Sequence, residues 1–226
     1  MKTKTNYAGH DTAYKRRRAE GKVGWDETPQ AYAEREAGLI KLLGQGYAPC
    51  SGMFLELGCG AGNISIWFAQ HGFEVTGVDI SETAILWARE RAQSAGVKAQ
   101  FMLGNVLELN GVLSDASIDF VLDGHCLHCI IGEDRKTFLQ TAWRFAKSGG
   151  FFLVDTMCGP VESGSVDGYD PASCCTMIQG LPTRYFGSPD QIQKEICDAG
   201  FDVLDVSIER NKSHGNMMIQ ARMRPT

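Results

Sequence analysis

Seven consecutive residues, Asp123-Gly124-His125-Cys126-Leu127-His128-Cys129, hold three side-chain types that can move protons or bind a metal. By intrinsic pKa, His125 and His128 are the bases that work near neutral pH, and Asp123 is placed to orient one of them. These three form the candidate catalytic set. Cys126 and Cys129 with the two histidines also raise a zinc site, which Cys174-Cys175 would complete. Tetrahedral zinc needs ligands converging from separate elements, and neighbours on one short turn cannot all face one ion. No metal is expected, and the eight cysteines read as reduced thiols.

A second constellation is the turn Gly58-Cys59-Gly60-Ala61-Gly62, which stands between an apolar run and a helical pattern. Glycines there let the backbone come close to a ligand and take dihedrals that a side chain would block. Asp79 ends the following strand, where a carboxylate can accept from both ribose hydroxyls of a nucleoside cofactor. A dinucleotide site would carry a third glycine at position 63, and this chain has Asn63. With no diphosphate to seat, the turn suits the amino-acid part of a nucleoside cofactor. Glu56, at the end of the strand before it, supplies negative charge for an ammonium.

The elements that must position these residues alternate between strand and helix. Met53–Leu57, Phe73–Asp79, Lys98–Leu103, Ser117–Leu122 and Gly150–Asp155 read as short apolar strands. Between them, Ile64 and Phe68 share one helical face, Ser81 caps a helix that stops at Gly96, and Phe138, Ala142 and Phe145 mark a helix over 133–147. Ser188-Pro189-Asp190-Gln191 opens another helix with a capping residue and a proline at its first position. Phe201–Ile208 and Met217–Met223 read as a final antiparallel pair. The pattern predicts an α/β fold, doubly wound, with a mainly parallel sheet and helices on both faces. Residues 1–48 read as an N-terminal helical lid, 49–226 as the core, and 156–187 as an irregular, substrate-covering insertion in which Tyr169, Arg184 and Tyr185 are the polar groups to meet a substrate. Arg184 would clamp a carboxylate, or else pair with Asp170 or Asp190.

Glu56-x-Gly58-x-Gly60-x-Gly62, then Val78-Asp79, then Gly104-Asn105-Val106, then 120–130 resemble the successive motifs of class I, Rossmann-like methyltransferases of the small-molecule type. The resemblance covers Met53–Asp155 well and the final strands loosely. It implies a seven-stranded sheet whose last strand in the chain is antiparallel and lies last but one in space. It also implies S-adenosylmethionine as cofactor, S-adenosylhomocysteine as product, Asp79 with Ile80 at the ribose, and Asn105 and Val106 beside the adenine. The family usually has Asp at position 105, and an amide oxygen can still accept from the adenine amino group. Leu127-His128-Cys129 takes the place of a Leu-His-His or Leu-His-Trp step seen in many small-molecule members. Tyr14, Gly21 and Trp25-Asp26-Glu27-Thr28-Pro29 resemble the lid of thiol, halide and tellurite methyltransferases, although Pro29 comes one residue early. An indole over a sulfonium gains cation-π attraction, which gives Trp25 a place at the cofactor.

Composition narrows the alternatives. A net charge of -5 argues against a surface built to lie on nucleic acid, and Lys15-Arg16-Arg17-Arg18 reads as the solvated face of a terminal helix. The opening residues lack the apolar run of a secretory signal, and the expectation is a cytoplasmic protein with no membrane role. A short-chain oxidoreductase would need a late Tyr-x-x-x-Lys step, and the sequence has none. A base- or glutamine-modifying enzyme would often carry Asn/Asp-Pro-Pro-aromatic where this chain has Asp123-Gly124-His125-Cys126. A nonenzymatic cofactor-binding protein would lack polar groups such as Asp123, His125 and His128 at that point. The expected reaction is therefore methyl transfer to a small acceptor by direct displacement, with the macromolecular and nonenzymatic readings as alternatives. Oligomeric state is not encoded in any of these signals.

Overall fold

The computed structural model describes residues 5–25, 28–109, 111 and 113–225. Asp26 and Glu27 of the lid pattern lie outside the described residues. In chain order the elements are α1 (Gly9–Ala19), α2 (Pro29–Leu43), β1 (Gly52–Leu57), α3 (Asn63–Gln70), β2 (Phe73–Asp79), α4 (Glu82–Ser94), β3 (Ala99–Leu103), β4 (Ile118–Gly124), α5 (Asp134–Phe145), β5 (Ala146–Cys158), β6 (Tyr169–Asp170), β7 (Cys175–Ile178), β8 (Leu181–Tyr185), α6 (Pro189–Asp198), β9 (Phe201–Arg210) and β10 (Gly215–Met223). A 3-10 turn, Leu127–Cys129, follows β4. Among the described residues, no helix is long and apolar enough to cross a membrane.

Seven strands form one sheet in the order β3-β2-β1-β4-β5-β10-β9. The strands from β3 through β5 pair in parallel, whereas β10 runs antiparallel to both β5 and β9. Strand order reverses beside β1, and the crevice above β1, β2 and β4 is where an open α/β sheet receives ligands.

Parallel strands buried on both faces read as continuous apolar runs, and their side-chain parity decides which core each residue joins. Phe54, Phe120, Leu122, Phe151 and Leu153 face α2 and α3, whereas Leu55, Leu57, Val121, Phe152 and Val154 face α5 and α6. The first face is aromatic, with Phe54 stacked on Phe68 at 4.0 Å and Phe120 edge-on to Phe151 at 4.9 Å. Each fully buried phenylalanine contributes about 1.5–3 kcal/mol of apolar transfer. Carried one step further along each strand, the same parity puts Glu56, Gly124 and Asp155 together at the carboxyl ends on the α2–α3 face, and Asp123 on the other.

The expected caps are present. Ser81 accepts from Ala84 N at 3.0 Å and Ser188 from Gln191 N at 3.2 Å, each satisfying an amide that the helix cannot. Thr28 does the same for α2, whose Pro29 opens the helix.

Two expectations are revised. The stretch 156–187 is not irregular throughout: it carries a three-stranded antiparallel sheet, β6-β7-β8, because Cys175–Ile178 and Leu181–Tyr185 form a hairpin around Gln179-Gly180, both at positive φ. Helix α2 is more than a lid, since Leu39 and Leu42 belong to the aromatic core. The remaining lid, α1 and the loop after it, is tied down by polar bonds. Asp11 accepts from Ser81 Oγ at 2.8 Å and Thr83 N at 3.0 Å. Tyr7 Oη donates to Asp134 at 3.0 Å and accepts from Ile131 N at 3.2 Å. Asn63, where a third glycine was considered, donates to Val23 O at 3.2 Å and so joins α3 to the loop.

Gly62 precedes α3 with φ of +74°, and a Cβ there would stand 2.9 Å from both Ala88 Cβ and the Phe101 ring. Gly62→Ala is expected to destabilise the protein by about 2–4 kcal/mol, from backbone strain and overpacking together. Urea denaturation checks this, and a loss under 0.5 kcal/mol would mean that the turn relaxes freely.

Candidate functional site

The two sequence constellations meet in one cleft. Gly58 N and Cys59 N both donate to Val78 O, at 2.8 and 3.0 Å, so the glycine turn is fastened to the end of β2. Gly58 and Gly60 have φ of +79° and +52°, in the left-handed region that glycine tolerates. A Cβ on Gly58 would stand 2.6 Å from Cys126 Cβ, and one on Gly60 would collide with Tyr14 Oη. The turn is therefore shaped for close approach from below by the core and from above by α1.

Asp79 is buried at the end of β2, with Oδ2 accepting from Gly60 N and Oδ1 from Ser81 N, both at 2.8 Å. Burial raises its pKa to about 6 despite those amides. Glu56 is buried beside it and accepts a hydrogen bond from the Ser65 hydroxyl, and burial lifts its pKa to about 8. Two desolvated carboxylates in one wall make a site that gains from a hydrogen-bond donor or a cation.

The cleft encloses about 1020 Å³ including its open mouth. Of the residues singled out from the sequence, Glu56, Gly58, Gly60, Asp79, Ile80, Asn105, Val106, Trp25, His125 and His128 line it. Gly62 does not, and serves the packing described above. Asn105 Oδ1 also accepts from Leu107 N at 3.1 Å, which shapes the loop after β3. Trp25 packs against Tyr14 at 5.2 Å and His10 at 5.8 Å, and the guanidinium of Arg17 lies 4.6 Å from its ring centroid. The basic run is engaged locally: Lys15 with Asp11 at 2.8 Å, Arg16 with Glu20 at 3.9 Å, and Arg18 with Glu90 at 2.5 Å.

The histidine segment is arranged differently from the expectation. Asp123 does not orient a histidine: it lies on the α5 face, fully buried, with Oδ1 accepting from Cys126 N and Leu127 N at 2.8 Å. It holds the 3-10 turn, and burial raises its pKa to about 7. The partner of His125 is Asp155, with Nε2 3.2 Å from Oδ1. Strand register explains the exchange, because β4 pairs with β5 so that Gly124 faces Asp155, and both lie on the α2–α3 face. Asp155 was not singled out from the sequence; its apolar–polar parity with Phe151 and Leu153 was the signal that could have found it.

His125 takes φ of +65°, a conformation uncommon for a residue with a side chain. Burial opposes its charged form, but the charge and hydrogen bond of Asp155 outweigh burial and raise its pKa. His128, 4.9 Å away ring to ring, is held neutral by burial and then by the charges of His125 and Arg184. Its Nδ1 is buried without a hydrogen-bond partner.

Arg184, Tyr169 and Tyr185 are off the cleft wall. Tyr169 packs edge-on to Phe186 at 5.8 Å, and Tyr185 lies under the guanidinium of Arg135 at 4.6 Å. Asp170 is engaged by Ser173 Oγ at 2.6 Å. Arg184 stands nearer, for its charge also depresses the pKa of the cleft residue His10, after the larger effect of burial. Arg35, Tyr7, Tyr14 and Tyr32, which complete the wall, come from the lid and α2. Among the described residues, no three of His, Cys, Asp and Glu converge on a metal position, and all eight cysteines are unbridged.

Comparison with known proteins bears on this arrangement. Residues 55–154 match the family described as a methyltransferase domain. The core of the chain is a methyltransferase domain. The domain is similar to the putative methyltransferase YqeM of Bacillus subtilis, 47% identical over 117 residues that cover 47% of this chain and 43% of that protein. It is also similar to the S-adenosyl-L-methionine-dependent Diels-Alderase of Talaromyces variabilis, 29% identical over 191 residues covering 81% and 63%. The chain thus spans less than two thirds of either relative. Among solved structures, the 1,6-didemethyltoxoflavin-N1-methyltransferase of Burkholderia thailandensis superposes with a TM-score of 0.70 at 20% identity, covering 98% of this chain and 92% of that one. At that identity the likeness shows the fold, which is the class I, Rossmann-like arrangement.

Asp79, Asp123 and Glu56 all have folded pKa values above the ordinary carboxylate range, so the folded protein binds more protons than the unfolded one between about pH 4 and 8. Their contribution is fully present below pH 4 and is lost as pH rises through 6 to 8. The ligand-free protein is expected to lose stability from pH 5 to pH 8, and Asp123→Asn, which keeps an acceptor oxygen, is expected to flatten that slope. Denaturation at the two pH values decides it, and a stability rising with pH would contradict the sign.

Proposed function

We propose that this chain transfers a methyl group from S-adenosylmethionine to a small-molecule acceptor by direct displacement, leaving S-adenosylhomocysteine. The observation that carries the reading is the pair of buried, desolvated carboxylates, Asp79 and Glu56, on either side of the glycine turn. A diphosphate would be repelled by the ionised Asp79 and would keep Glu56 protonated. A nucleoside with ribose hydroxyls and an ammonium would supply a donor to one and a cation to the other. When bound, that cofactor supplies a methyl group already activated by its sulfonium.

The protein's part is alignment and exclusion of water. Asp79 would hold the ribose with Ile80 beside it, Asn105 and Val106 would flank the adenine, and Trp25 would close the wall over the sulfonium side. A small acceptor is favoured because Tyr7, His10, Tyr14 and Trp25 roof the cleft from a lid that Asp11 and Tyr7 fasten to the core. The three-stranded sheet over 156–187 would flank the cleft on the side of His10 and His128, both of which feel the charge of Arg184. Local pairing of the basic run removes the charge that a nucleic-acid substrate would use, and a cytoplasmic setting fits the reduced thiols.

Two of the similar proteins agree with a small acceptor, while others are described as ribosomal RNA methyltransferases. The Burkholderia thailandensis protein carries S-adenosylhomocysteine and a small heterocycle by its description, and a Mycobacteroides abscessus relative is described as a 2-heptyl-1-hydroxyquinolin-4(1H)-one methyltransferase, 25% identical over 146 residues.

Calorimetric titration with S-adenosylmethionine, S-adenosylhomocysteine and NADH is expected to show binding of the two adenosyl ligands alone. Asp79→Ala is expected to weaken S-adenosylhomocysteine by at least tenfold, the scale of one hydrogen bond to a charged acceptor. For the intact protein, affinity is expected to fall as pH drops below about 6, where Asp79 takes up a proton. Unchanged affinity in the variant, or preference for NADH, would sink the assignment.

A further inference from the structure

We propose that Asp155 and His125 form a working dyad in which Asp155 positions His125 as the base that deprotonates the acceptor, so that the acceptor is a protic nucleophile, an O–H, N–H or S–H group. The proposal rests on the methyltransferase reading above. Four observations carry it. The Nε2–Oδ1 separation is 3.2 Å, with side chains only 22% and 20% exposed. Bound through Nε2, His125 has Nδ1 left as the nitrogen that can take a proton. His125 is held at φ of +65°, a strained conformation of the kind that persists where its surroundings over-determine it. His125 and Gly124 line both the cofactor cleft and a second cavity between α2 and the β5–β10–β9 end of the sheet, walled by Glu34, Arg35, Asp155, Glu209 and Asn216. His125 stands in the wall that the two cavities share, with Asp155 on the side of the second, so a methyl donor in one and an acceptor in the other would both lie beside it.

The groups facing His125 are Asp155 from β5, Arg35 from α2, Asp123 from β4 and His128 from the 3-10 turn. Arg35 also reaches Asp155 Oδ2 at 3.7 Å, which keeps that carboxylate ionised and in place. Asp155 has its pKa lowered by His125 and then Arg35, against a burial that alone would raise it. His128, held neutral and uncharged, cannot store the proton as an ion at this depth. In the step itself, a lone pair of the acceptor forms the new bond to the methyl carbon while the carbon–sulfur bond breaks with its electron pair going to sulfur. The acceptor's proton passes to Nδ1 of His125, and the imidazolium shares its other N–H with Asp155 before releasing a proton to water.

Two measurements test this. The first follows His125 by NMR titration in wild type and Asp155→Asn, each saturated with S-adenosylhomocysteine. The midpoint is expected above 6.5 in wild type and lower by about one unit in the variant, and an unmoved midpoint overturns the pairing. The second measures S-adenosylhomocysteine release against pH, with a phenol, an aryl thiol and a heteroaromatic N–H compound as acceptors. Wild type is expected to show an acid limb for at least one of them. Asp155→Asn should shift that limb to lower pH and cut the plateau at least tenfold, His125→Ala should remove the limb, and Asp155→Glu should restore part of the plateau. A loss of rate with an unshifted limb makes Asp155 merely structural and overturns the proposal. A protein that binds S-adenosylhomocysteine yet methylates none of the three also overturns it while leaving the cofactor reading in place, whereas failure to bind S-adenosylhomocysteine brings down the methyltransferase reading itself.

Discussion

Burial of the central strands on both faces is the constraint from which the rest of the structure follows. Strands β1, β4 and β5 have no solvent-facing side, so nearly every position along them is apolar, and polar groups are tolerated only where the strands run out. Glu56 and Asp123 stand next to the ends of β1 and β4, Asp79 ends the neighbouring β2, and Asp155 lies level with them in β5, opposite Gly124. Each is buried or nearly so, and each has found amide, hydroxyl or imidazole partners. Chemistry is concentrated at one edge of the sheet because the packing leaves it nowhere else to go.

The strand–helix alternation, the caps at Ser81 and Ser188, and the glycine turn were legible in the sequence because each rests on local physics: periodicity, a hydroxyl before a helix, a backbone that only glycine permits. The meeting of Glu56, the glycine turn and Asp79 in one cleft was legible for the same reason, since the ends of β1 and β2 are fixed by the turn between them. The partner of His125 was not. Asp123 sits two residues away in the chain, whereas Asp155 is thirty positions on and becomes its neighbour only through the register that sets Gly124 against Asp155. Proximity in sequence favoured the wrong carboxylate, and parity across paired strands supplied the right one. The small sheet over 156–187 was hidden because its strands are short and one of them, β8, contains Pro182.

Electrostatically, the cleft is a place where burial resists negative charge: Asp79 ionises only above about pH 6 and Glu56 only above about pH 8. Asp79 and Glu56 are desolvated, and Arg35 is the nearest counter-charge to Glu56. Such a wall discriminates by sign, because a cationic or hydrogen-bond-donating guest relieves the desolvation and an anionic guest compounds it. The dinucleotide reading, already weakened by Asn63, meets its physical obstacle here.

The fastening of α1 carries a consequence of its own. Asp11 reaches from the roof to Ser81, the cap of α4 two residues after Asp79, and to the amide of Thr83 in the first turn of that helix. Roof and floor therefore share a latch: displacing α1 would break the bonds of Asp11 to Ser81 and Thr83, and Ser81 is also the residue whose amide holds Asp79.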